Sequence, residues 1–364
     1  MTEYSGGRRR EANLLCWRAL RIPKPALPCL LAALAAGCGG SPTGPDNTPT
    51  PPPGSPVSGS VFYDENGNGV LDPGEAVRLP NVTVAVGSKT AQTTDGGRFT
   101  VQNVPAGTQS ASVQPSSLPA YFTPGAPVSV GVPPSSGDLA VPALLPLGPG
   151  EHPNLYTAFG DSITCGEGSS TGGGYRDLLA ADLRAYWGRA DITNDCASGS
   201  KSRIGEARMG AVLSDRRPAY VLILYGTNDF NDSGCRADLQ SCFTIDALRS
   251  MIQQTRDQGA LPVLGTIPPV NPNYVDRFAD ERNAWVTQMN VLVRQMAAQE
   301  RVAVAEIHGS FMKQPSLSAL FFDDKHPNDA GYVLISRAFF DAVTRPVGAT
   351  VSRRSRWPFG FGRF

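Results

Sequence analysis

Histidine is scarce in this chain, and a net charge is absent. Only 3 of the 364 residues are histidine, and 32 Lys and Arg residues balance 32 Asp and Glu residues. Nucleic-acid binding requires a basic face, so the balanced charge argues against a nucleic-acid partner. The scarcity of histidine leaves few candidates for a catalytic base. Long apolar runs are missing too: residues 26–37 are apolar but too few to span a bilayer.

Residues 1–37 are predicted to be a signal peptide, because a basic region precedes the alanine-rich stretch. Residues 34–38 (LAAGC) resemble the lipobox of bacterial lipoproteins, in which the cysteine is lipidated and becomes the mature N-terminus. The resemblance makes Cys38 the lipidation site. The leucine stands four places before Cys38 here and usually three, so an ordinary signal peptide that ends at Ala35 is the alternative.

Residues 38–56 are rich in Pro, Gly and Thr and are predicted to be a flexible tether. We expect a lipoprotein at the cell surface or in the periplasm that contacts the membrane only through its lipid, or a secreted protein if the ordinary peptidase cuts. At the other end, residues 346–364 are predicted to be a flexible basic tail.

Export predicts an oxidising compartment, in which disulfides persist. Outside the signal peptide and the lipidation site, four cysteines remain: Cys165, Cys196, Cys235 and Cys242. Four cysteines allow three connectivities. Cys235 and Cys242 are close in sequence and form the natural first pair, which leaves Cys165 to pair with Cys196. Two buried free thiols are the alternative for the second pair.

Residues 57–145 are rich in Val, Thr, Gly and Pro, with short alternating runs between turn signals. This pattern predicts an all-β sandwich. Within it, residues 64–75 (DENGNGVLDPGE) match the calcium-loop pattern D-x-[DN]-x-[DN]-G-x5-E. The expected ligands are the side chains of Asp64, Asn66, Asn68, Asp72 and Glu75 and the carbonyl of Val70.

Calcium requires six to eight oxygen ligands, which alternating short side chains around a glycine turn can supply. A metal-free Asn/Gly-rich turn is the alternative. The segment resembles the B-type repeat of bacterial surface adhesins, which implies a calcium-stiffened spacer or adhesion module. We therefore expect structural Ca²⁺ here and no cofactor for catalysis.

Residues 146–345 alternate predicted strands with predicted helices, which indicates an α/β domain with a parallel sheet covered by helices on both faces. Ligands of such sheets bind at the carboxyl ends of the strands. Polar segments follow the strands here: Ser162 comes after LYTAF, and Asn228 comes after AYVLILYG. Asp323 and His326 precede the last helix.

These segments contain the groups that nucleophilic ester hydrolysis needs. A serine hydroxyl requires an adjacent base, and only His326 has a carboxylate three residues upstream to orient its ring. Asp323 is expected to be that carboxylate, with Asp324 as the alternative. The backbone N–H groups of Ser162 and Gly199 and the side-chain amide of Asn228 are the candidate oxyanion donors.

Together the segments resemble the four sequence blocks of the SGNH or GDSL hydrolase family: GDSIT, a block-II glycine (Gly199), GTND, and D-x-x-H-P-N. The resemblance implies a three-layer flavodoxin-like fold and a serine ester hydrolase with Ser162 as nucleophile, His326 as base and Asp323 as its orienting partner. Block II departs from the family pattern, because Cys196 stands at its first glycine. A Cys165–Cys196 bridge would explain the departure, since it would join the nucleophile turn to the oxyanion turn.

The sequence leaves the substrate open. No long apolar lid is apparent, so short acyl esters are expected, and a carbohydrate O-deacetylase acting on an acylated glycan is the closest alternative. A surface adhesion or binding protein with an inactive hydrolase domain is an alternative of another class. The loop 267–278 is expected to shape the pocket, with Tyr274 or Phe278 as walls unless these aromatics are core.

Overall fold

The computed structural model describes residues 54–135 and 137–346. The predicted signal peptide, Cys38, most of the tether and almost all of the basic tail lie outside the described residues. Within these two ranges, no helix is both long enough and apolar enough to cross a membrane.

The N-terminal part of the described chain is a sandwich of two four-stranded sheets. Its strands are β1 (Ser55–Tyr63), β2 (Thr83–Val86), β3 (Lys89–Gln92), β4 (Arg98–Val104), β5 (Gly107–Val113), β6 (Thr123–Pro124), β7 (Val128–Val132) and β8 (Leu139–Leu144). One sheet has the order β4-β1-β8-β6 and the other β3-β2-β5-β7. β1 starts two residues inside the predicted tether, because Ser55 pairs with Val104 of β4.

The C-terminal part is built on one parallel sheet. Its strands are β9 (His152–Gly160), β10 (Asp191–Cys196), β11 (Pro218–Leu224), β12 (Leu261–Gly265) and β13 (Ala303–Ala305). Their order is β10-β9-β11-β12-β13, which is the flavodoxin-like order with its switch point between β9 and β11. The predicted fold class, a flavodoxin-like α/β domain behind an all-β domain, is therefore confirmed.

Helices cover both faces of this sheet. They are α1 (Ser162–Cys165), α2 (Gly174–Trp187), α3 (Ser202–Arg216), α4 (Ser233–Ala237), α5 (Thr244–Gln258), α6 (Ala279–Glu300), α7 (Ile307–Met312) and α8 (Asp329–Thr344). α2 packs with α8 on one face, and α3 and α6 flank α5 on the other. Along β11, Leu222 and Leu224 enter one core and Val221 and Ile223 the other, which explains the unbroken apolar run of this central strand.

The sandwich lies against the amino ends of the parallel strands. The Tyr121 hydroxyl accepts a hydrogen bond from the Ala303 amide at the start of β13 and donates one to the Pro262 carbonyl in β12. The Arg78 amide donates to the carbonyl of Trp187, the last residue of α2. One apolar core runs from the sandwich into the α2–α8 face of the sheet. The carboxyl ends of the strands, at the opposite edge, remain open for a site.

Candidate active site

Ser162 is the first residue of α1, which follows β9 at the switch point of the sheet. Asp161 caps the helix, since its carboxylate accepts a hydrogen bond from the Ile163 amide at 3.0 Å. The helix ends after one turn at Gly166, whose φ of 90° is the left-handed conformation that glycine adopts without strain. The sequence predicted a turn here, and the short helix fixes the direction of the serine side chain.

The His326 ring lies between Ser162 and Asp323. Its Nε2 is 2.9 Å from the Ser162 hydroxyl oxygen, and its Nδ1 is 2.7 Å from Asp323 Oδ2. The other carboxylate oxygen of Asp323 accepts the His326 amide at 2.7 Å and the Lys325 amide at 3.0 Å. Asp324 faces elsewhere and pairs with the Lys325 ammonium at 3.2 Å. The three predicted residues therefore form one hydrogen-bonded chain.

The environment of Asp323 favours its ionised form. Burial raises the pKa of this carboxyl, but hydrogen bonds from the His326 ring and from two backbone amides lower it, and the net pKa lies below its ordinary value. The carboxylate therefore stays charged at neutral pH, as it must to orient an imidazole and to stabilise its protonated form.

The expected oxyanion donors differ in their present partners. The Asn228 amide donates to Asp161 Oδ2 and to the Ser200 carbonyl, both at 3.2 Å. No hydrogen bond among the described residues uses the backbone N–H of Ser162 or of Gly199. Gly199 has a φ of 71° and open space where a side chain would start. Two of the three donors are thus free, whereas Asn228 must exchange a partner before it binds a substrate oxygen.

Two disulfides are present, in the predicted pairing. Cys165, the last residue of α1, is bonded to Cys196, the last residue of β10, with Cα atoms 5.2 Å apart. Cys235 is bonded to Cys242. The first bridge joins the segment that carries Ser162 to the loop that carries Gly199. The departure at the first glycine of block II thus coincides with a covalent connection between two parts of the site.

Glu167 is a neighbour of His326 that the sequence analysis missed. Its Oε2 is 3.2 Å from His326 Nε2, and the Ser198 hydroxyl donates to its other carboxylate oxygen. The Tyr332 hydroxyl donates to the Glu167 backbone carbonyl at 2.6 Å, which holds this loop in place. Glu167 follows the GDSIT block without a motif of its own, so no sequence signal could have identified it.

The two other histidines lie outside this chain of hydrogen bonds. His152 is exposed at the start of β9, at the amino end of the sheet. His308 is buried in α7, and burial lowers its pKa below the ordinary value. Neither position connects a histidine to Ser162.

The predicted calcium loop brings its oxygen-bearing side chains together. The Asp64 carboxylate accepts the backbone amides of Gly67, Asn68 and Gly69, which curls the loop around it. The amides of Asn66 and Asn68 both point at Asp72 Oδ2, at 2.7 and 2.8 Å. Among the described residues, no three Asp, Glu, His or Cys side chains already surround one point where a metal ion could bind. The residue types of the loop nevertheless fit Ca²⁺, because its three carboxylates and two amides supply the hard oxygen donors that this ion prefers.

Asp161 is fully buried beneath Ser162, and this burial generates a testable pH dependence. Burial raises its pKa from 3.8 to about 7, although its bond from the Ile163 amide opposes the shift. Between these two values the folded protein retains a proton that the unfolded chain releases. The free energy of unfolding should therefore fall as the pH rises through this window. Asp161→Asn has no such proton, so its stability relative to wild type should increase across the same window.

Urea denaturation at a series of pH values measures this difference, with Asp215→Asn, on the exposed surface of α3, as the control. Parallel stability curves for wild type and Asp161→Asn would contradict the assignment.

Comparisons with known proteins find similarity to ester hydrolases. Residues 158–334 match the model of the GDSL-like Lipase/Acylhydrolase family. Esterase TesA of Pseudomonas aeruginosa is 32% identical over 148 residues, which are 40% of this chain and 66% of that esterase, just under two thirds of its length.

Two solved structures are also similar. The lipase/acylhydrolase from Enterococcus faecalis has 20% identity and a TM-score of 0.44, and the match covers 54% of this chain and 100% of that one. Axe2, an acetylxylan esterase from Geobacillus stearothermophilus, has 23% identity and a TM-score of 0.42, and the match covers 58% of this chain and 100% of that one. The family match spans just under half of the chain, so residues 158–334 are similar to the GDSL-like lipase/acylhydrolase family.

Proposed function

We propose that the protein is an extracytoplasmic carboxylic ester hydrolase in which Ser162 attacks the ester carbonyl, His326 is the general base and Asp323 orients the imidazole. The observation that carries the proposal is the position of the His326 ring, within 2.9 Å of the Ser162 hydroxyl and 2.7 Å of the Asp323 carboxylate. This is the nucleophile–base–orienter relation that serine hydrolysis requires.

The reaction would proceed in two halves. The Ser162 proton moves to His326 Nε2 as Oγ bonds to the ester carbon, and the resulting imidazolium returns the proton to the departing alcohol. A water then takes the place of the alcohol and gives a proton to His326 as its oxygen bonds to the acyl carbon. His326 returns that proton to Ser162 Oγ as the bond between Oγ and the acyl carbon breaks and the acid leaves. The Asp323 carboxylate accepts the hydrogen bond from the Nδ1–H group of His326 in both halves, so the proton stays on Nδ1. The lowered pKa of Asp323 keeps the carboxylate ionised for this role.

The negative charge on the carbonyl oxygen would be stabilised by the backbone N–H groups of Ser162 and Gly199 and by the Asn228 amide. Loss of one such donor typically costs about 10²–10³ in rate. The Cys165–Cys196 bridge supports this arrangement, because it holds the two backbone donors in fixed relation. A binding protein with an inactive hydrolase domain is less consistent with an intact hydrogen-bonded serine, histidine and aspartate.

Short acyl esters are the proposed substrates, and an acetylated sugar is the second candidate for the same site. Ser162→Ala should lower kcat for p-nitrophenyl acetate by about 10³-fold or more, because no other group replaces the nucleophile. The exposed Ser316→Ala is the matched control. Among p-nitrophenyl acetate, butyrate and long-chain esters, the shorter ones should be hydrolysed faster.

Full activity of folded Ser162→Ala would refute the nucleophile. A folded wild type that cleaves acetylated oligosaccharides but none of these esters would favour the deacetylase.

We further propose that the loop 64–75 binds structural Ca²⁺ through Asp64, Asn66, Asn68, Asp72, Glu75 and the Val70 carbonyl. The ion would neutralise part of the negative charge of a loop whose predicted ligands include three carboxylates. The fit of the donor set supports this proposal, and so does the way Asp64 already organises the turn through three backbone amides.

Saturating Ca²⁺ should stabilise wild type by about 2–3 kcal/mol at a concentration near 100 times Kd, since an ion that binds only the folded state shifts the unfolding equilibrium. Asp64→Asn and Asp72→Asn should lose most of this gain, whereas Asp95→Asn, in an exposed turn outside the loop, should keep it. Thermal unfolding with calcium or with a chelator measures the effect. Identical melting temperatures under both conditions would rule out the ion.

Export and lipidation are proposals that rest on residues 1–56, of which 1–53 lie outside the described residues, with the two disulfides as support for an oxidising compartment. In a bacterial host the wild type should be found in the membrane fraction, and Cys38→Ser should move to the soluble extracytoplasmic fraction. Cys29→Ser, within the predicted signal peptide, is the control. A Cys38→Ser variant that stays membrane-bound would contradict the lipid anchor.

A further inference from the structure

An open cavity of about 550 Å³ is lined in part by the loops that carry Asn228 and His326. Asn231, in the turn that starts at Asn228, lines one side of it, and Lys325, the residue before His326, lines another. Neighbouring Cα atoms are about 3.8 Å apart, so the backbone at Lys325 is shared by the cavity wall and the loop that carries His326.

The lining of the cavity is basic. Four of its side chains are basic and two are acidic. Lys325 pairs with Asp324 at 3.2 Å, and Arg277 lies 3.9 Å from Asp276. These pairs use both acids and leave two arginines, Arg236 and Arg282, without a carboxylate partner among the described residues.

Arg282 is the strongest sign of a missing ligand. Its residue is only 9% exposed, and its Nη2 donates to the Asn231 side-chain oxygen. Its Nε and Nη1 have no hydrogen-bond partner within the described part of the chain, although both are buried. A buried guanidinium with unused donors is costly unless an anion satisfies it. Burial lowers the pKa of this group; Asp324 opposes that shift, and Arg236 adds to it.

The two unpaired arginines are held by aromatic rings. The Arg282 guanidinium lies over Phe230, 5.0 Å from the ring centre. Arg236 lies 5.6 Å from the same ring and 5.4 Å from the ring of Phe278. These contacts orient planar cations without neutralising them. Phe278 is 56% exposed and lines the cavity, so it forms a wall, as one reading of the sequence suggested, and is not core.

The opposite side of the site has the opposite charge. Glu167 contacts His326 near β10, where the Ser198 hydroxyl binds it. The arginines follow β11 and β12, on the other side of β9 in the strand order. A substrate with one negative group would therefore be repelled on the Glu167 side and attracted on the arginine side, which fixes its direction across Ser162.

We propose that this cavity is a subsite for an oxyanion carried by the substrate, so that the hydrolase prefers esters whose alcohol bears a carboxylate, such as acylated acidic sugars, to neutral esters. The planar donor pattern of arginine matches a carboxylate with two parallel hydrogen bonds. The inference rests on the proposed ester hydrolysis and specifies the class of ester.

The test compares 3-acetoxybenzoate with 3-acetoxybenzamide, which differ only in the charged group, as substrates of the full-length protein. The wild type should show a higher kcat/KM for the anionic ester. Arg236→Gln should lower the ratio of anionic to neutral kcat/KM by about tenfold or more, mainly through KM, because a hydrogen bond to a charged group is lost. Arg282→Gln should lower it further. Arg184→Gln, an exposed arginine of α2, should leave the ratio unchanged.

Arg236 is exposed, so its variant keeps the test valid if Arg282→Gln does not fold. A ratio that is equal in wild type and Arg236→Gln would overturn the subsite while leaving ester hydrolysis intact. Titration calorimetry with 3-hydroxybenzoate and Ser162→Ala tests binding without catalysis. If Ser162→Ala binds 3-hydroxybenzoate and the additional Arg236→Gln substitution abolishes this binding, the subsite is supported even if both esters prove to be poor substrates. If inorganic phosphate binds more tightly than 3-hydroxybenzoate, a substrate carboxylate is rejected as the occupant of the subsite.

Discussion

The hydrogen bond between Ser162 and His326 joins loops that are 164 residues apart in the chain. Ser162 is in position because β9, the strand before it, ends at the switch point of the sheet, next to β11. His326 can be in position only because the turn before α8 folds over the same edge, where its Asp323 carboxylate accepts two backbone amides as well as the ring. The parallel sheet therefore sets the distance between Ser162 and His326, and the helices packed on both of its faces hold the sheet in place.

Two buried carboxyl groups near this hydrogen bond each accept several hydrogen bonds from neighbouring loops and helices. Asp161 caps α1 and accepts the Asn228 amide, and Asp229 accepts the amide of Ser202 and the hydroxyls of Ser202 and Thr244. Each carboxyl is buried, and burial raises the pKa of both. Such groups are tolerated because nearly all of their oxygens are hydrogen-bonded. They fix the loops after β9 and β11 relative to each other, so the donors for an oxyanion are positioned before substrate arrives.

The sequence was informative where chemistry restricts the residue type. It predicted an all-β domain followed by a parallel α/β domain, the contact of Ser162, Asp323 and His326, and the cysteine pairs, because few residues can do what those positions require. It gave no helix at α3, whose buried face begins with the small residues Ser202 and Gly205 and carries large apolar residues only from Met209 onward. A Cβ at Gly205 would lie 2.6 Å from the Tyr225 ring, so the helix needs glycine to approach the sheet. The contacts of Glu167 and of the unpaired Arg282 are with segments distant in sequence, so no local sequence pattern identifies either residue.

The shared core between the sandwich and the parallel sheet limits how this protein can be divided. The sequence boundary near residue 145 separates two kinds of secondary structure, yet Phe122 of the sandwich packs edge-on against Trp187 of α2, and Tyr121 lies against Tyr220 of β11. A hydrolase cut at that boundary would expose these aromatic faces to water. Recombination that moved the catalytic part alone into another gene would thus yield an aggregation-prone product, and the two parts would have to be inherited together.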